Sequence, residues 1–365
     1  MRTKLLLAAV LMAVAYAAFG GWVVSQRVAR GAPDPLAVRG AYHVHTTRSD
    51  GRGSLDEVVR AAKEAGLRFV VVTDHNVLTP EEQGYRDGVL VVQGTEASTP
   101  FGHVVALGVP RALTREEREG DPLGAIAALG GEAVLAHPLH PRRPFTGWGR
   151  GTWRGLEVVS NDTAWYRALF DRDVGRVVTA ALALPFDRAR ALVTLGDDPS
   201  DELARFDAEA REARAAGERR DPPRVLLCSA DAHGYPSYRA AFEAFSMHLP
   251  IALTGDGGRD AAAVTRALLD GSATCVFDGV ARGGVVRLGR GRAPGTLEAG
   301  PRALLDRAET VLVRDGVSVP HAVAAGESPV LSVVRCEGGC GPGSYRLELR
   351  RDGRRWIFTN PVAIE

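Results

Sequence analysis

A long uncharged run of residues opens the chain. It extends from Leu5 to Val24 and is preceded by two basic residues. As a helix that rises about 1.5 Å per residue, this run would reach roughly 30 Å, which is enough to cross the hydrocarbon core of a bilayer. The pattern therefore predicts a membrane-targeting helix over residues 1–26, followed by a polar linker over residues 27–39.

Two forms of this N-terminal segment are open. Small residues at Ala15 and Ala17 suit a signal peptidase, whereas the unbroken length of the apolar run favours an uncleaved anchor. Either form predicts an exported protein, periplasmic or otherwise extracytoplasmic, that is secreted or membrane-anchored. The membrane is thus one expected partner of the chain.

Short apolar runs and helical patterns alternate between residues 40 and 280. One helical pattern begins with a capping box of Ser54 and Glu57 and ends at Gly66, which can adopt a left-handed conformation. The apolar runs are aliphatic or β-branched, as is typical of buried strands in a parallel sheet. They are GAYHVH, FVVVTDHN, VLVVQGTEAS, GHVVALGV, EAVLAHP, GLEVVSN and RVLLCSADAH. The alternation predicts one α/β domain built from βα repeats.

Two regions depart from this alternation. Residues 161–224 are helical and charged in pattern, and we interpret them as an insertion over one face of the domain and a candidate lid. Residues 281–365 contain alternating runs separated by Gly-rich turns, such as ETVLVRDG, SPVLSVVRC, SYRLELRRDG and RWIFTNPVAIE. The second pattern predicts a small antiparallel, sandwich-like β-domain.

Composition and charge exclude some classes of protein but do not identify a function. The 365 residues are 45% hydrophobic and 24% charged, which excludes the disordered class. A formal net charge of +1 provides no overall field to attract nucleic acid, and no nucleic-acid-binding patch is evident. An anionic substrate would therefore have to be held by local groups. The oligomeric state leaves no signal in the sequence.

The four cysteines fall into two pairs with different surroundings. Cys228 and Cys275 lie in apolar runs, and we interpret them as buried small residues. Cys336 and Cys340 flank Glu-Gly-Gly and could close a short disulfide loop in an oxidising compartment. A zinc half-site at Cys336 and Cys340 is the weaker alternative, since no second Cys or His pair lies close by in sequence.

Metal-ligating residue types gather where the predicted strands end. His43 and His45 close the first apolar run and, with a side-chain period of two, point to the same face of the strand. Six of the nine histidines and three carboxylates fall at such places. Because strand ends converge in α/β barrels, we expect these residues to be neighbours in space. The set is His43, His45, Asp50, His75, Glu96, His103, His137, Asp231 and His233.

The size of this set decides its interpretation. Any single member is as readily a hydrogen-bonded strand-end residue as a functional one. Packed together, uncompensated imidazoles and carboxylates would cost several kcal/mol unless cations held them. The whole set therefore predicts a metal site.

The same residues carry a family resemblance. The motifs HVH, SDG, TDHN, the single Glu96, GHVVALG, AHP and SADAH occur in the order seen in the PHP family, named for polymerase-associated and histidinol phosphatase domains. The resemblance covers residues 40–280 and implies a distorted (β/α)7 TIM-like barrel with a multinuclear metal site. The membrane-targeting segment and the C-terminal β-domain are similar to those of a group of exported metallohydrolases in that family.

The family pattern also implies how the nine ligands divide. The first ion would be held by His43, His45, Glu96 and Asp231, the second by Glu96, His103 and His137, and the third by Asp50, His75 and His233. Two or three divalent transition-metal ions suit such mixed ligands, and sequence does not choose among manganese, zinc and iron. The expected catalytic residues are Asp231, Glu96 and His233.

Hydrolysis is the reaction that such ions support. A hydroxide bridging the ions would attack phosphorus, while the ions neutralise charge on the phosphoryl oxygens. The arginines Arg52, Arg142 and Arg143 are placed to bind an anionic group of the substrate, although each is also an ordinary surface residue type. Asp74 either orients a metal ligand or caps the turn after its strand.

The leading function is a metal-dependent phosphoesterase that cleaves a phosphomonoester or phosphodiester outside the cytoplasm. One alternative is an ester, carbamate or amide hydrolase on the same metals, since such a hydroxide also attacks a carbonyl carbon. A second alternative is a non-catalytic surface binding protein, and the complete ligand set argues against it.

Overall fold

Strands and helices alternate through the first three quarters of the chain. The computed structural model describes residues 2–29, 37–196, 198–217, 223–326 and 330–364. The strands in the first part are β1 (Val38–Val44), β2 (Phe69–Val72), β3 (Gly84–Arg86), β4 (Val89–Thr99), β5 (Gly102–Leu107), β6 (Glu132–Leu135), β7 (Gly155–Val159), β8 (Val225–Cys228), β9 (Ser246–Leu249) and β10 (Thr274–Val276). The helices are α1 (Arg2–Ala29), α2 (Leu55–Glu64), α3 (Arg115–Glu119), α4 (Pro122–Ala128), α5 (Asn161–Phe170), α6 (Val174–Ala183), α7 (Arg188–Gly196), α8 (Ser200–Ala215), α9 (Tyr238–Ala244) and α10 (Gly257–Leu269), with a 3₁₀ turn at Pro80–Glu82. Most of the predicted linker, residues 30–36, lies outside the described residues.

The seven apolar runs form β1, β2, β4, β5, β6, β7 and β8, but their sheet is mixed. β1 pairs in parallel with β2, and β2 with β4, as do β6 with β7 and β7 with β8. β5 is antiparallel to both β4 and β6. β5 is thus the return strand of a hairpin in which His103 pairs with Ser98, and the sheet is mixed at this strand. The turn between β4 and β5 is too short for the crossover that parallel neighbours require.

The path of these strands returns to its own beginning. The backbone N–H of Ala230, just after β8, donates to the carbonyl of Tyr42 at 2.8 Å, and that of His45 donates to the carbonyl of Ala232 at 3.1 Å. Val44 and Ala232 form a parallel bridge. The ends of β1 and β8 are thus held side by side, although they are about 190 residues apart in sequence.

Helix α2 forms as its sequence predicts. The Ser54 hydroxyl accepts from the backbone N–H of Glu57, whose carboxylate accepts in return from the Ser54 N–H at 2.7 Å, which completes the capping box. Gly66 follows the helix with φ of +72°, a conformation that glycine adopts without steric cost. The buried stripe consists of Leu55, Val58, Val59 and Ala62. This helix fixes the loop that carries Asp50.

Antiparallel strands fill the C-terminal quarter of the chain. They are β11 (Arg287–Arg290), β12 (Thr296–Gly300), β13 (Glu309–Arg314), β14 (Val317–Val319), β15 (His321–Ala325), β16 (Ser332–Cys336), β17 (Gly343–Arg351), β18 (Arg354–Thr359) and β19 (Val362–Ile364), with helix α11 at Arg302–Leu305. One sheet has the order β11, β12, β16, β15. The strands β14, β13, β17 and β18 instead extend the first sheet, because β18 pairs with β10.

Both cysteine pairs are disulfide-bonded. Cys228 of β8 is joined to Cys275 of β10 with their Cα atoms 5.5 Å apart. Both residues are buried, as predicted, whereas their disulfide was not predicted, since nothing in either run signals a partner 47 residues away. Cys336 and Cys340 close the short loop as a disulfide and not as a zinc half-site.

Helix α1 packs against the helices of the predicted insertion. The 26 residues Arg2–Arg27 are long enough to cross a membrane and contain an 18-residue window with a mean hydropathy of 2.0. The Tyr16 ring lies 5.2 Å from that of Phe186, and Val23 is buried in a cluster with alanines of α5, α6 and α7. The first half of α1 is exposed.

A buried ion pair lies at the start of β1. The Arg39 guanidinium is 3.3 Å from the carboxylate of Asp278, and both side chains are inaccessible to solvent. The Ser246 hydroxyl donates to Asp278, and the His248 ring lies 3.7 Å from the same carboxylate. Arg282 approaches Asp278 at 3.4 Å. No sequence pattern singles out any of these residues.

Candidate metal centre

The end of β1 delivers two histidines into the interior. His43 and His45 are completely buried, and their Nε2 atoms face each other at 2.9 Å. The same two atoms lie 3.1 and 3.2 Å from Oε2 of Glu96. Oδ1 of Asp231 is 3.7 and 3.6 Å from them. The four residues expected around the first ion are therefore neighbours.

Glu96 is the residue on which the site converges. It is completely buried at the middle of the long strand β4. Its Oε1 lies 2.8 Å from Nδ1 of His103 and 2.9 Å from Nε2 of His137. Its Oε2, which faces His43 and His45, is also 3.2 Å from Nδ1 of His75. One carboxylate thus contacts imidazoles from five positions of the chain.

Asp50 brings a second carboxylate to the outer side of the cluster. It is about half exposed, and its Oδ2 lies 3.4 Å from Nε2 of His75. Its Oδ1 is 3.3 Å from Nε2 of His233 and 3.5 Å from Nδ1 of His45. The loop that follows β1 therefore faces the same site as the two histidines at the end of the strand.

Three groups of potential ligand atoms each lie within 4.8 Å of one another: His43, His45 and Glu96; His45, Asp50, His75 and His233; and His75, Glu96 and His103. The first two groups correspond to the first and third ions implied by the family pattern. His45 and His75 each belong to two groups, which that pattern did not imply. The candidate ligands thus form one continuous cluster.

Several of these residues occupy an uncommon backbone conformation. The φ angles of His43, His137 and Asp231 are +68°, +29° and +40°. Non-glycine residues rarely have positive φ, and such strain persists where the surrounding structure enforces it, often at functional sites. All three lie where a strand ends, so the left-handed turn redirects each side chain toward the cluster.

Asp74 and Glu157 support the loops and rings around the cluster. Asp74 accepts from the N–H and the hydroxyl of Thr46 at 2.8 and 2.7 Å, and from the hydroxyl of Ser49 at 2.6 Å. It holds the loop between His45 and Asp50. Oε1 of Glu157, on β7, is 2.6 Å from Nδ1 of His43, and its Oε2 accepts from the backbone N–H of His137 at 2.9 Å.

Sequence reasoning did not select Glu157 or Ser160. Glu157 was visible only as a single carboxylate inside the apolar run GLEVVSN, which is an unusual place for an unpaired charge. Ser160 caps α5 and also donates to Oδ2 of Asp231 at 2.8 Å. Both side chains hold a candidate ligand in one orientation, as partners of metal ligands commonly do.

A cleft of about 170 Å³ opens above the cluster. Arg142 and Arg143 line it, together with His140 and with Asp162 and Tyr166 from α5. Nδ1 of His140 accepts from the backbone N–H groups of both arginines at 3.1 Å, so Nε2 carries the ring proton and faces Asp162 at 3.2 Å.

Arg52 lies outside that lining. Its guanidinium stands over the ring of Tyr235 at 5.4 Å, and its backbone N–H donates to the carbonyl of His233 at 3.0 Å. Of the three arginines predicted to bind an anionic group, two therefore line the cleft and this one lies beside its rim.

The cluster shifts the ionisation of its own members. Burial raises the pKa of the Glu96 carboxyl, but the charge of His43 and hydrogen bonds from His103 and His137 outweigh burial and hold the pKa well below its ordinary value. Burial lowers the pKa of His137, yet hydrogen bonding and attraction to Glu96 raise it to about 9. Burial also lowers the pKa of His233, but the hydrogen bond to Asp50 and the charges of Asp231 and Asp50 raise it to about 9. The chain alone thus balances its carboxylates with protonated imidazoles.

These donors fit divalent cations. Only one proton can lie between the facing Nε2 atoms of His43 and His45, although both atoms also face Glu96. A cation placed among them would accept a lone pair from each of the three residues at once. Buried imidazoles and carboxylates in this mixture are typical ligands of zinc, manganese and iron.

Comparisons with known proteins agree with this description. The family model of the PHP domain matches residues 41–127. An uncharacterized protein of Methanocaldococcus jannaschii is 30% identical over 92 residues, covering 23% of this chain and 52% of that protein. A phosphoribosyl 1,2-cyclic phosphate 1,2-diphosphodiesterase of Eggerthella lenta is 34% identical over 102 residues, covering 25% and 35%. The chain thus matches about half of the first relative's length and about a third of the second's.

One solved structure is similar over most of the chain. It is a two-domain protein of Bacteroides vulgatus described as containing a predicted PHP-like metal-dependent phosphoesterase. It covers 91% of this chain and 97% of its own, at 12% identity and a TM-score of 0.38.

Fold and site define a mixed α/β protein with a buried cluster of potential metal ligands. Residues 41–127 match the family model of the PHP domain, which confirms the resemblance recognised from the motifs. That family comprises metal-dependent phosphoesterases.

Proposed function

We propose that this protein is a hydrolase of phosphomonoesters or phosphodiesters that depends on two or three divalent transition-metal ions. The observation that carries the proposal is the convergence of imidazoles on the buried carboxylate of Glu96. A charged group buried in this way is stable only with compensating cations. The nine residues that would hold the ions are His43, His45, Asp50, His75, Glu96, His103, His137, Asp231 and His233.

Bound manganese, zinc or iron would lower the pKa of water and offset the charge that develops on phosphoryl oxygens. Asp231 is suited to orient the attacking water, because its Oδ2 is fixed by Ser160 while its Oδ1 faces His43 and His45. His233 is partly exposed at the rim and is suited to move a proton there. Glu96 fixes the rings around it.

The lining of the cleft favours a small anionic substrate. Arg142 and Arg143 carry positive charge to it, and Nε2–H of His140 adds a donor. Guanidinium groups match phosphate oxygens in charge and geometry. Arg52 lies at the rim, where it would contact a part of the substrate that extends beyond the cleft.

We infer that the protein acts outside the cytoplasm and keeps α1 as an anchor. The length of α1 and its packing through Tyr16 and Val23 support retention, because cleavage after Ala17 would remove part of that contact. Two disulfides support an oxidising compartment, since thiols in the cytoplasm are kept reduced.

We also propose a distorted seven-stranded barrel for residues 40–280, with residues 281–365 as a sandwich-like β-domain. The hydrogen bonds between the ends of β1 and β8 support closure of the barrel. A separate apolar cluster around Trp356 and Tyr345 supports the second unit, although β10 and β18 join the two in one sheet.

The test is a hydrolysis assay on the full chain in detergent, loaded with manganese, zinc or iron. The substrates are aryl phosphate monoesters and diesters, nucleotides and aryl carboxylic esters. We expect phosphate release that disappears with a chelator and returns with metal. Asp231→Asn should abolish it, whereas Glu132→Gln, at an exposed carboxylate on β6, should not change it. Hydrolysis of carboxylic esters without phosphoesters would overturn the proposal.

A further inference from the structure

Helices α5 and α6 expose large apolar side chains on adjoining surfaces. The exposed fractions are 37%, 48% and 58% for Trp165, Leu169 and Phe170, and 68%, 48% and 42% for Val174, Val178 and Leu182. We call these six residues the α5–α6 apolar face. The three on α6 recur every four positions and so lie along one side of that helix. Single exposed apolar residues are common, but a group on neighbouring helices marks a contact surface.

Helix α1 adjoins this face. The hydroxyl of Tyr16 donates to the carbonyl of Leu182 at 3.4 Å, and its ring contacts Phe186, just beyond α6. Val23 is buried in one apolar cluster with Ala180 and Ala183 of α6. Through Leu182, the α5–α6 apolar face therefore adjoins the one described helix that is long enough to cross a bilayer.

The position of these contacts along α1 sets the depth of α6. The uncharged run extends from Leu5 to Val24, and the contacts with the insertion lie between Tyr16 and Val23. At about 1.5 Å per residue, this segment covers roughly 10 Å at one end of a hydrocarbon core about 30 Å thick. An element packed there lies at the boundary of acyl chains and headgroups, where amphipathic helices bind.

The composition of α6 suits that boundary. Its ten residues, VGRVVTAALA, contain Arg176 as the only charged side chain, and Asp173 pairs with Arg176 at 3.3 Å. The cluster between α1 and α6 includes the small residues Ala180 and Ala183, which allow the helices to approach closely. A bilayer is the partner that α1 itself requires, so no second partner has to be invoked for the exposed residues beside it.

We propose that the α5–α6 apolar face lies in the interfacial layer of the bilayer that α1 crosses. This inference rests on the retention of α1 proposed above, and not on the reaction. Helix α5 also contributes Asp162 and Tyr166 to the lining of the cleft. A docked α5 therefore holds the cleft at the membrane surface, where α1 alone would leave its orientation free.

The test measures the contact with lipid at single positions. Full-length Val178→Cys and Leu169→Cys are labelled with an NBD maleimide under non-reducing conditions, where the native cysteines remain in disulfides. Val317→Cys, at a 65% exposed valine of β14, is the matched control. Each protein is reconstituted into phosphatidylcholine vesicles with or without nitroxide-labelled lipid. Intact mass first establishes that α1 is present.

We expect nitroxide lipid to reduce NBD emission about twofold or more at positions 178 and 169 and to leave position 317 nearly unchanged. Quenching at 178 and 169 no stronger than at 317, in chains that retain α1, would overturn the inference. Efficient bismaleimide cross-linking between two copies through position 178, without quenching, would overturn it too and assign the face to a second chain. A mass that lacks α1 would refute the anchor and this inference while leaving the hydrolase proposal intact.

Discussion

The two ends of strand β1 both bury charge, and they balance it differently. At the start of the strand, Arg39 pairs with Asp278, a fixed cation with a fixed anion. At its end, His43 and His45 face Glu96, and whether the imidazoles carry charge depends on protons. At the start of β1, fixed charges of the chain itself balance one another. The end balances its carboxylates only by holding protons or, when they are present, metal ions.

This contrast separates a structural polar cluster from a functional one. Arg39 and Asp278 are both charged at neutral pH, so this cluster needs no added ion to balance its charge. The imidazoles of the other cluster can exchange protons for a metal ion without a change in the carboxylates. Predictions that alter each end of β1 separately test the comparison.

The largest effect is expected for Glu96→Gln. The substitution removes the charge shared by five imidazoles, so the variant should lose bound metal and slow phosphoester hydrolysis by about 10⁴-fold, roughly 5 kcal/mol in the activation barrier. Elemental analysis and steady-state kinetics measure both. Glu132→Gln, exposed on β6, is the control. A Glu96→Gln chain that keeps its metal content would refute the central place given to this carboxylate.

Asp278→Asn should destabilise the fold by about 3–5 kcal/mol, because it leaves Arg39 charged, buried and unpaired. Burial raises the pKa of Asp278, but Arg39 and His248 outweigh it and hold the pKa well below its ordinary value. The stabilisation is therefore present above about pH 4 and is lost as the pH falls below that value. Urea unfolding at pH 7 and pH 3 measures the difference.

The control for this change is Asp352→Asn, in the exposed turn between β17 and β18. It should alter the free energy of unfolding by less than about 0.5 kcal/mol. Metal content should be unchanged in both variants. If Asp278→Asn removed metal without lowering stability, the two ends of β1 would not be independent.

Glu157→Gln should weaken metal binding about 10- to 100-fold, because the carboxylate that orients Nδ1 of His43 becomes an amide. Competition with a metal-sensitive chelator dye measures the affinity. Glu202→Gln, at a buried carboxylate of α8 that pairs with Arg167, is the matched control and should leave the affinity unchanged. Equal weakening in both variants would indicate a general loss of structure.

The smallest expected effect is the release of protons from the cluster when metal ions bind. The pKa values of His137 and His233 are raised to about 9 without metal. Burial lowers the pKa of His43, but Glu157 and Glu96 raise it well above its ordinary value. Binding of ions at pH 7.5 should therefore release at least two protons. Metal affinity should then rise with pH until about pH 9. Calorimetry of metal binding in buffers with different ionisation enthalpies measures the release. Affinity that is independent of pH would contradict this balance.

Most of the strands and the candidate ligands were accessible from the sequence because their signals are local or repeated. Aliphatic runs predicted β1 and β4, and the capping box of Ser54 and Glu57 predicted the start of α2. The nine candidate ligands were selected by their place at strand ends and by the motifs of the family. All nine line or adjoin one cluster.

The features that were missed depend on contacts between distant segments. Glu157 is informative only because the end of β1 lies beside β7, and Asp278 only because β1 begins beside the loop that contains it. The disulfide of Cys228 and Cys275 likewise needs β8 and β10 to approach. No pattern within a single strand encodes such a partner. The antiparallel direction of β5, by contrast, follows from a local signal, its two-residue turn after β4.

The left-handed backbone at His43, His137 and Asp231 bears on any attempt to make this protein more robust. A sequence selected for folding alone would place glycine at such positions and recover about 1 kcal/mol or more at each. Screens for thermostable variants without added metal should therefore enrich substitutions at these three positions. The most stable variants recovered would be those that have lost metal binding and activity.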